Sequence, residues 1–195
     1  AAKKSKRVTA LDFSSEMLRM LKETAAQECL SNIDCVQCSW EDDRIDSELD
    51  KHDVVIASRS LGTMSNLKEG LTRINGKARR YAYVTMGVGL SSPLKKMVYE
   101  VMGKELSNPP GYIYAYNLLY QMGIHANVKF LEGRSKYKDF NEAFERCRRI
   151  TEDISPLEEK EITRRLTDLL IKRQDGIFEF LYNDLCWALM WWEKT

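Results

Sequence analysis

Three polar segments of the sequence each follow a predicted β-strand, and their residue types suit the binding of a nucleoside. Asp12 ends the strand Val8–Leu11, CSWED (38–42) follows a second strand, and ASRSLG (57–62) follows a third. The carboxyl ends of parallel strands lie along one edge of a sheet, so we expect the three segments to converge on one crevice. An acid at such a strand end commonly binds the two hydroxyls of a ribose. No glycine-rich turn precedes Asp12, however.

The elements that must position these segments alternate between strand and helix. Behind Ser14, a suitable N-cap, four apolar residues recur at helical spacing, namely Met17, Leu18, Leu21 and Ala25. The segment LKEGLTRINGK (67–77) predicts a helix that stops at Gly76. The strand Val54–Ala57 is apolar without alternation, which predicts a central strand covered on both faces. This order indicates an α/β fold with right-handed crossovers.

Further helices are predicted in the second half of the chain. Residues 90–122 and 136–175 carry amphipathic helical patterns, and Asp139 and Ser155 begin predicted capping boxes. The segments HANVKFLE (125–132) and LCWALMWWE (185–193) predict strands. We therefore expect a single domain over residues 1–195, with the two helical segments forming a cover at the carboxyl edge of the sheet.

Charge and cysteine content narrow the classes of partner. Thirty basic and twenty-nine acidic residues give a net charge of +1, which argues against a general affinity for nucleic acid or an anionic membrane surface. The longest apolar run, Cys186–Trp192, is far shorter than the roughly 20 residues that span a bilayer. Five scattered cysteines suit a reducing compartment. We predict a soluble cytoplasmic protein.

Two other kinds of site fit the sequence poorly. On a strand, Cys35 and Cys38 would point to opposite faces, and the sequence contains two histidines in all, so no metal site is predicted. The glycines Gly87 and Gly89 could begin a dinucleotide loop, but Ser92 stands at the third position of that motif. A nicotinamide-dependent oxidoreductase is therefore the weakest alternative.

Segments along the whole chain resemble successive landmarks of the class I S-adenosylmethionine-dependent methyltransferases: VTALDFSSEML, VQCSWEDD, KHDVVIASRSL, LKEGLTRIN and WALMWWEK. The resemblance implies a Rossmann-like, mostly parallel sheet of the class I methyltransferase type with an added helical cover. It also implies S-adenosylmethionine as cofactor. The family's ribose acid falls on Asp12, Phe13 would lie against the adenine, and Met17 completes the D-x-S-x-x-M pattern.

The resemblance also assigns the adenine to the segment after the second strand. Ser39 would accept from the adenine amino group, and the backbone N–H of Trp40 would meet the ring. Because the family has aspartate where this chain has Ser39, Glu41 or Asp42 could accept instead.

The segment after the third strand would lie beside the methionine portion of the cofactor and the incoming substrate. Ala57, Ser58 and Arg59 inherit this position, with Ser60 on the substrate side. An arginine in a surface ion pair and a serine that caps the next helix are the structural alternative. Tyr112 and Tyr116, which share a helical face, are either substrate contacts or residues of a core or dimer contact, and a homodimer stays open.

In the family, one strand and its glycine-rich loop precede the segment that here begins at residue 1. The chain thus resembles a methyltransferase without its opening segment, and we expect residues 1–195 alone to be inactive and to bind the cofactor weakly. The absent strand would lie between the strand that ends at Asp12 and the strand Val54–Ala57, so these two should not pair directly.

These observations favour methyl transfer from S-adenosylmethionine to a small-molecule acceptor. Since the sulfonium already makes the methyl group a good electrophile, alignment of the reactants is the main requirement, and no catalytic residue is assigned. A non-catalytic binding or assembly module on the same fold is the alternative. The acceptor is not specified by the sequence.

Overall fold

The computed structural model describes residues 1–62, 64–88, 92–108, 111–151 and 153–194. Within these residues the helices are α1 Ser15–Gln27, α2 Ile45–Glu48, α3 Leu67–Lys77, α4 Pro93–Val101, α5 Tyr112–Gln121, α6 Phe140–Arg148 and α7 Pro156–Leu169. The strands are β1 Val8–Asp12, β2 Ile33–Gln37, β3 His52–Ser58, β4 Ala78–Gly87, β5 Asn127–Gly133, β6 Lys136–Tyr137, β7 Leu170–Lys172, β8 Phe178–Phe180 and β9 Leu185–Glu193. The fold is mixed α/β, as predicted.

The chain divides into two compact units. Unit 1 comprises Ala1–Ile56, Met64–Ala82 and Glu193–Thr195, and unit 2 comprises Ala57–Thr63 and Tyr83–Trp192. The single domain expected from the sequence stays a prediction.

Helix α1 in unit 1 forms where its capping residue and apolar spacing predict it. The Ser14 hydroxyl accepts a hydrogen bond from the Met17 N–H at 3.3 Å, which satisfies one of the free donors at the helix start. Leu18 and Ala25 form its buried face. After the helix Cys29 adopts a left-handed backbone with φ of 54°, a conformation that usually falls to glycine at this position.

The strands form three sheets, with the orders β1-β2, β3-β4-β9-β5 and β6-β8-β7. Strands β1 and β2 are parallel, in a register that runs from Val8 opposite Ile33 to Asp12 opposite Gln37. Strand β5 is antiparallel to β9. Because β1 and β2 run in the same direction, both end at the same edge of their sheet.

The prediction that Val54–Ala57 is a central strand covered on both faces is wrong. Strand β3 stands at the end of its sheet, and its burial alternates, with Val55 and Ala57 buried and Val54 and Ile56 exposed by 44% and 60%. The face that carries Val54 and Ile56 is thus partly open to solvent, and apolar composition overstated the burial of this strand.

As predicted, β1 and β3 are not neighbours in a sheet. Within the described residues β1 is joined to β2 and β3 to β4, so one backbone edge of each strand has no strand beside it. Open edges of this kind can accept a further strand. That a family strand fills this position stays a prediction.

The second half of the chain is less helical than predicted. Residues 136–175 contain α6 and α7 but also β6 and β7, which pair with β8 in a small antiparallel sheet. Strands this short carry too few residues for a two-residue period to be recognised. In the range 90–122 the structure shows α4 and α5, while Gly89 and residues 90, 91, 109 and 110 lie outside the described residues.

The core of unit 2 joins α4, α6 and α7 to this small sheet. Its fully buried members include Val98, Cys147, Ile162, Leu166 and Phe180. Since burial removes the thiol from water, the pKa of Cys147 is raised to about 12, and this thiol stays protonated.

Three predicted helix boundaries can be compared with the structure. Ser155 and Glu158 form the full capping box, with bonds in both directions. Asp139 accepts from the Glu142 N–H, but the Glu142 carboxylate turns to the Lys138 N–H instead, so only half of that box forms. Helix α3 continues past Gly76 to Lys77, contrary to prediction.

None of the helices in the described part of the chain combines the length and the apolar character that a membrane crossing needs.

Candidate functional site

Asp12 lies at the carboxyl end of β1 with part of its hydrogen-bonding capacity unused. Its Oδ1 accepts a hydrogen bond from the Ser14 N–H at 2.8 Å, which orients the carboxylate in the turn before α1. Its Oδ2 receives no hydrogen bond from any described residue. The half-buried carboxylate is therefore fixed in direction and keeps one oxygen open.

Phe13 follows with a ring that is 73% exposed, although phenylalanine is usually buried. The backbone around it is anchored, because its carbonyl accepts from Gln37 Nε2 at 3.2 Å. Met17, one turn into α1, is also exposed, by 54%. Both predicted contact residues thus present apolar surface to solvent in unit 1.

The segment after β2 lies beside Asp12. The Cys38 N–H donates to the Asp12 carbonyl at 3.1 Å, which extends the pairing of the two parallel strands beyond their last residues. Ser39 then turns the chain, and its hydroxyl accepts from the Glu41 N–H at 3.2 Å. The N–H of Trp40 donates to no residue in the described part of the chain. The structure therefore brings Asp12, Ser39 and Trp40 to one sheet edge within unit 1.

Two cations on α3, neither of them predicted as a site residue, hold this segment and the residues that follow it. Arg73, which is 9% exposed, donates to the Trp40 carbonyl at 3.1 Å and pairs with Asp43 at 2.5 Å and Glu69 at 2.6 Å. Lys77 donates to the carbonyl of Leu49 at 2.7 Å. Buried charged groups need such partners, since desolvation without them is costly. The available signal was their spacing, because Arg73 follows the buried Gly70 by three residues and Lys77 follows the buried Ile74 by three.

Glu41 and Asp42 use their carboxylates within the protein. Glu41 Oε1 accepts from the Ser65 hydroxyl at 2.6 Å and from the N–H groups of Ser65 and Asn66, both at 2.9 Å. These bonds lower the pKa of Glu41 below its ordinary value. The hydrogen bonds of Arg44 to both oxygens of Asp42 lower the pKa of Asp42 to about 2. Among the described residues, the Ser39 hydroxyl and the Trp40 N–H, by contrast, keep free hydrogen-bonding capacity.

The segment after β3 belongs to unit 2 and is held by Thr85. Ala57 is buried, and the Ser58 hydroxyl lies 3.0 Å from the Thr85 hydroxyl. The Arg59 N–H donates to that same Thr85 oxygen at 3.1 Å. Arg59 has a φ of 59°, which costs a residue with a Cβ roughly 1–2 kcal/mol. Strained residues of this kind are concentrated at functional sites.

Arg59 and Ser60 do not have the structural roles that were the alternative, a surface ion pair and a helix cap. Arg59 forms no ion pair with any described residue, and its guanidinium carbon lies 4.5 Å from the ring centre of Trp187. Ser60 does not cap α3, because Asn66 does so. The Ser60 hydroxyl is buried and has no partner in the described structure, which costs about 1–3 kcal/mol.

Tyr112 and Tyr116 lie on the same side of α5, as predicted. The Tyr112 ring meets the Phe130 ring of β5 edge-on at 5.2 Å, and Tyr116 is half-buried. Ala115 and Leu119 form the buried face of the helix. Tyr112 therefore has at least one packing role.

The described residues contain no group of three or more histidine, cysteine, aspartate or glutamate side chains placed to hold a metal ion.

Comparisons with known proteins bear on the family and the fold of the chain. No family model matches the sequence. An uncharacterised protein of Haemophilus influenzae is 30% identical over 191 residues, which cover 98% of this chain and 69% of that protein. A candidate methyltransferase of Bacillus halodurans superposes with a TM-score of 0.61 at 11% identity, over 97% of this chain and 84% of that one.

A third similar protein was solved with ligands. Phosphoethanolamine N-methyltransferase 2 of Haemonchus contortus, in complex with phosphomonomethylethanolamine and S-adenosylhomocysteine, gives a TM-score of 0.51 at 16% identity, over 97% of this chain and 44% of that one. At such low identities the structural likeness shows the fold. The chain belongs to the same family as the Haemophilus influenzae protein, and it has the Rossmann-like fold of the class I S-adenosylmethionine-dependent methyltransferases.

Proposed function

We propose that this protein binds S-adenosylmethionine and transfers its methyl group to a small-molecule acceptor. The observation that carries the proposal is the sheet edge of unit 1, where the Asp12 Oδ2 and the Trp40 N–H, neither bonded to a described residue, follow two adjacent parallel strands. Ligands of open α/β sheets bind outside such strand ends. The methyltransferase fold of the chain supports the same conclusion.

The groups at this edge fit a nucleoside. Asp12 Oδ2 can accept from a ribose hydroxyl, and the exposed Phe13 ring offers a flat apolar surface to a base. The Trp40 N–H can donate to a ring nitrogen. We assign the contact with the adenine amino group to the Ser39 hydroxyl, because the carboxylates of Glu41 and Asp42 are already engaged by protein donors.

Glu41 and Asp42 then act on the site through the backbone. Glu41 links the segment to Ser65 and Asn66, which directly precede α3, and Asp42 pairs with Arg44 in the next turn. Arg73 fixes the Trp40 carbonyl from the other side. A donor that is held in place before the ligand arrives binds it with a smaller loss of entropy.

When bound, S-adenosylmethionine supplies an electrophilic methyl group, so the chain chiefly has to hold the acceptor in line with it. We propose that the segment Ala57–Ser60 contributes to ligand binding, and we retain Tyr116 as an acceptor contact because α5 leaves it half-exposed. We assign no general base. The five cysteines, all free, suit a protein of the reducing cytoplasm.

Calorimetric titration of the full-length protein with S-adenosylhomocysteine, S-adenosylmethionine and NAD tests this proposal. We expect saturable binding of the first two ligands and none of NAD. Binding of NAD alone would overturn the proposal and favour an oxidoreductase. If S-adenosylhomocysteine binds but no methyl transfer from radiolabelled S-adenosylmethionine to any acceptor of a metabolite extract occurs, the non-catalytic binding module would replace the enzyme.

A further inference from the structure

We propose that Arg59, stacked on Trp187, binds an oxyanion of the ligand, a carboxylate or a phosphate group. The identity of the anion rests on the proposed methyl transfer. The existence of the anion site does not depend on that function. The observation behind the inference is that the Arg59 side chain is held in one orientation while its hydrogen-bond donors bond to no described residue.

The backbone of Arg59 is held in a costly conformation by two hydroxyl groups. Its φ of 59° is maintained by the bond from its N–H to the Thr85 hydroxyl, which in turn contacts the hydroxyl of Ser58. Glycine or asparagine would adopt this conformation at lower cost. The presence of arginine at a strained position that needs no arginine indicates that its side chain has a use.

The flat face of the Arg59 guanidinium group packs on an aromatic ring, whereas its N–H donors, at the edge, have no partner among the described residues. Stacking at 4.5 Å places the cation against the indole of Trp187, and none of its N–H groups bonds to a described residue. Arg44 and Arg164 differ, since each gives its guanidinium donors to carboxylates on its own segment. The planar edge of a guanidinium matches the two oxygens of a carboxylate or phosphate, which makes an open, oriented arginine an anion receptor.

The surface next to Trp187 favours an anion for a second reason. Leu131 of β5 pairs directly with Trp187, so the two side chains share one face of the sheet, and Lys129 lies two residues along on the same face. Lys129 is exposed and Leu131 is 40% exposed. Over the paired residues 127–133 and 185–191, this face carries no acidic side chain. We therefore expect an anionic group with an adjoining apolar part.

Two parts of the reaction partners could supply this oxyanion. One is the carboxylate on the methionine portion of the cofactor, and the other is an acid group on the acceptor. Both present the same chemistry to Arg59, so the experiment uses a simple anion first and then identifies the source.

The probe is inorganic phosphate, added to the full chain at constant ionic strength with chloride as the reference anion. The reporter is the indole N–H signal of Trp187 in a ¹H–¹⁵N spectrum, assigned with a Trp187→Phe variant. We expect a saturable shift in the wild type. We also expect affinity to fall at least about tenfold in Arg59→Gln and less in Arg59→Lys, which keeps a charge but loses the planar pair of donors.

Arg80→Gln is the matched control, because Arg80 also lies over an aromatic ring, that of Tyr81 at 5.6 Å, but outside this segment. It should titrate like the wild type. A wild-type response no larger than that to chloride, or an equal response in Arg59→Gln, would overturn the inference. Should Arg59→Gln fail to fold, Arg59→Lys alone decides, since unchanged phosphate affinity in that variant would exclude paired binding by the guanidinium.

The source is found by repeating the titration with S-adenosylhomocysteine or 5′-methylthioadenosine, which lacks the carboxylate. Loss of phosphate binding with S-adenosylhomocysteine alone assigns the anion to the cofactor, and binding that persists with both assigns it to the acceptor. If neither nucleoside binds, the proposed function fails while the phosphate result still stands.

Discussion

The segments after β2 and β3 both follow strand ends, yet they are held in opposite ways. Residues 39–46 are fixed from several sides, by the buried cations of α3 and by the bonds of the Glu41 carboxylate to the residues that precede that helix. Residues 58–60 contain a strained arginine and a buried hydroxyl without a described partner, and Thr85 holds the backbone of Arg59.

The difference corresponds to what each segment is proposed to bind. A base and ribose are recognised by backbone groups and short side chains, which a rigid segment can present in one fixed geometry. An anion can be bound by a single long side chain whose donors stay open. The first segment uses its own charged residues for structure, whereas the second leaves its charge free.

The largest effect is expected when the rigid segment loses its buried cation. Arg73→Met keeps much of the apolar stem but removes the bonds to the Trp40 carbonyl, Asp43 and Glu69. We expect the free energy of unfolding to fall by about 3 kcal/mol, and S-adenosylhomocysteine binding to weaken because Trp40 loses its anchor. Urea denaturation and calorimetry measure the two effects.

Arg164→Met is the matched control, since Arg164 also has two acidic partners but is exposed on α7. Its loss should change stability by less than about 0.5 kcal/mol. Equal destabilisation by both variants would show that the anchoring of residues 39–46 is no different from surface pairing.

The next largest effect concerns the open oxygen of Asp12. In the full-length protein, Asp12→Ala should weaken S-adenosylhomocysteine binding by about 1–3 kcal/mol, because charged hydrogen bonds to the ribose are lost. Asp34→Ala, on the neighbouring strand and paired with Arg7, should leave the affinity unchanged. Calorimetry on both folded variants decides, and an unaltered Kd for Asp12→Ala would remove the ribose assignment.

Features that depend on nearby residues could be predicted from the sequence, whereas features that depend on distant segments could not. Ser14 and the spacing of Leu18 and Ala25 specify α1 locally, and Asp12 is visible as an acid at a strand end. Arg73 could not be assigned, because a cation in a helical stripe is usually exposed, and its burial depends on Trp40 and Asp43 in a distant segment.

Long-range contacts account for the other differences. Arg59 was identified as a site residue, but its stacking on Trp187 joins segments far apart in the chain and leaves no local pattern. The length of α3 beyond Gly76 depends in the same way on the bonds of Lys77 to residues before β3. Glycine freedom alone was insufficient to end that helix.

A smaller effect on the free energy of unfolding is expected when either of two strained residues is replaced by glycine. One lies in the proposed anion site and the other at the end of a helix. Cys29 and Arg59 are the two residues other than glycine with positive φ in the described structure. Cys29→Gly should raise the free energy of unfolding by about 0.5–1 kcal/mol, because glycine adopts this conformation without steric cost. Arg59→Gly should gain less, since it also loses the contact with Trp187.

Thermal unfolding measures both changes, and phosphate titration separates them. Cys29→Gly should bind phosphate like the wild type, whereas Arg59→Gly should not. A loss of stability in Arg59→Gly larger than about 1 kcal/mol would mean that stacking, and not anion binding, is the use of this arginine.

The smallest effect is a difference in acid sensitivity between the two segments. The folded-state pKa of Glu41 is lowered by its bond from Ser65, and that of Asp42 is lowered from 3.8 to about 2 by Arg44. A carboxyl group whose pKa is lowered on folding stabilises the fold above its unfolded pKa, and this contribution is lost as the pH falls through the folded pKa. The advantage in Tm of the wild type over Glu41→Gln and Asp42→Asn should therefore be constant above about pH 5 and shrink between about pH 4 and pH 2.

For Arg59→Gln, the difference in Tm from the wild type should stay constant over the same range, because Arg59 has no carboxylate partner in the described structure. Differential scanning fluorimetry at steps of pH provides the measurement. A pH-dependent difference for Arg59→Gln would reveal an acidic partner and would argue against an open anion site at this arginine.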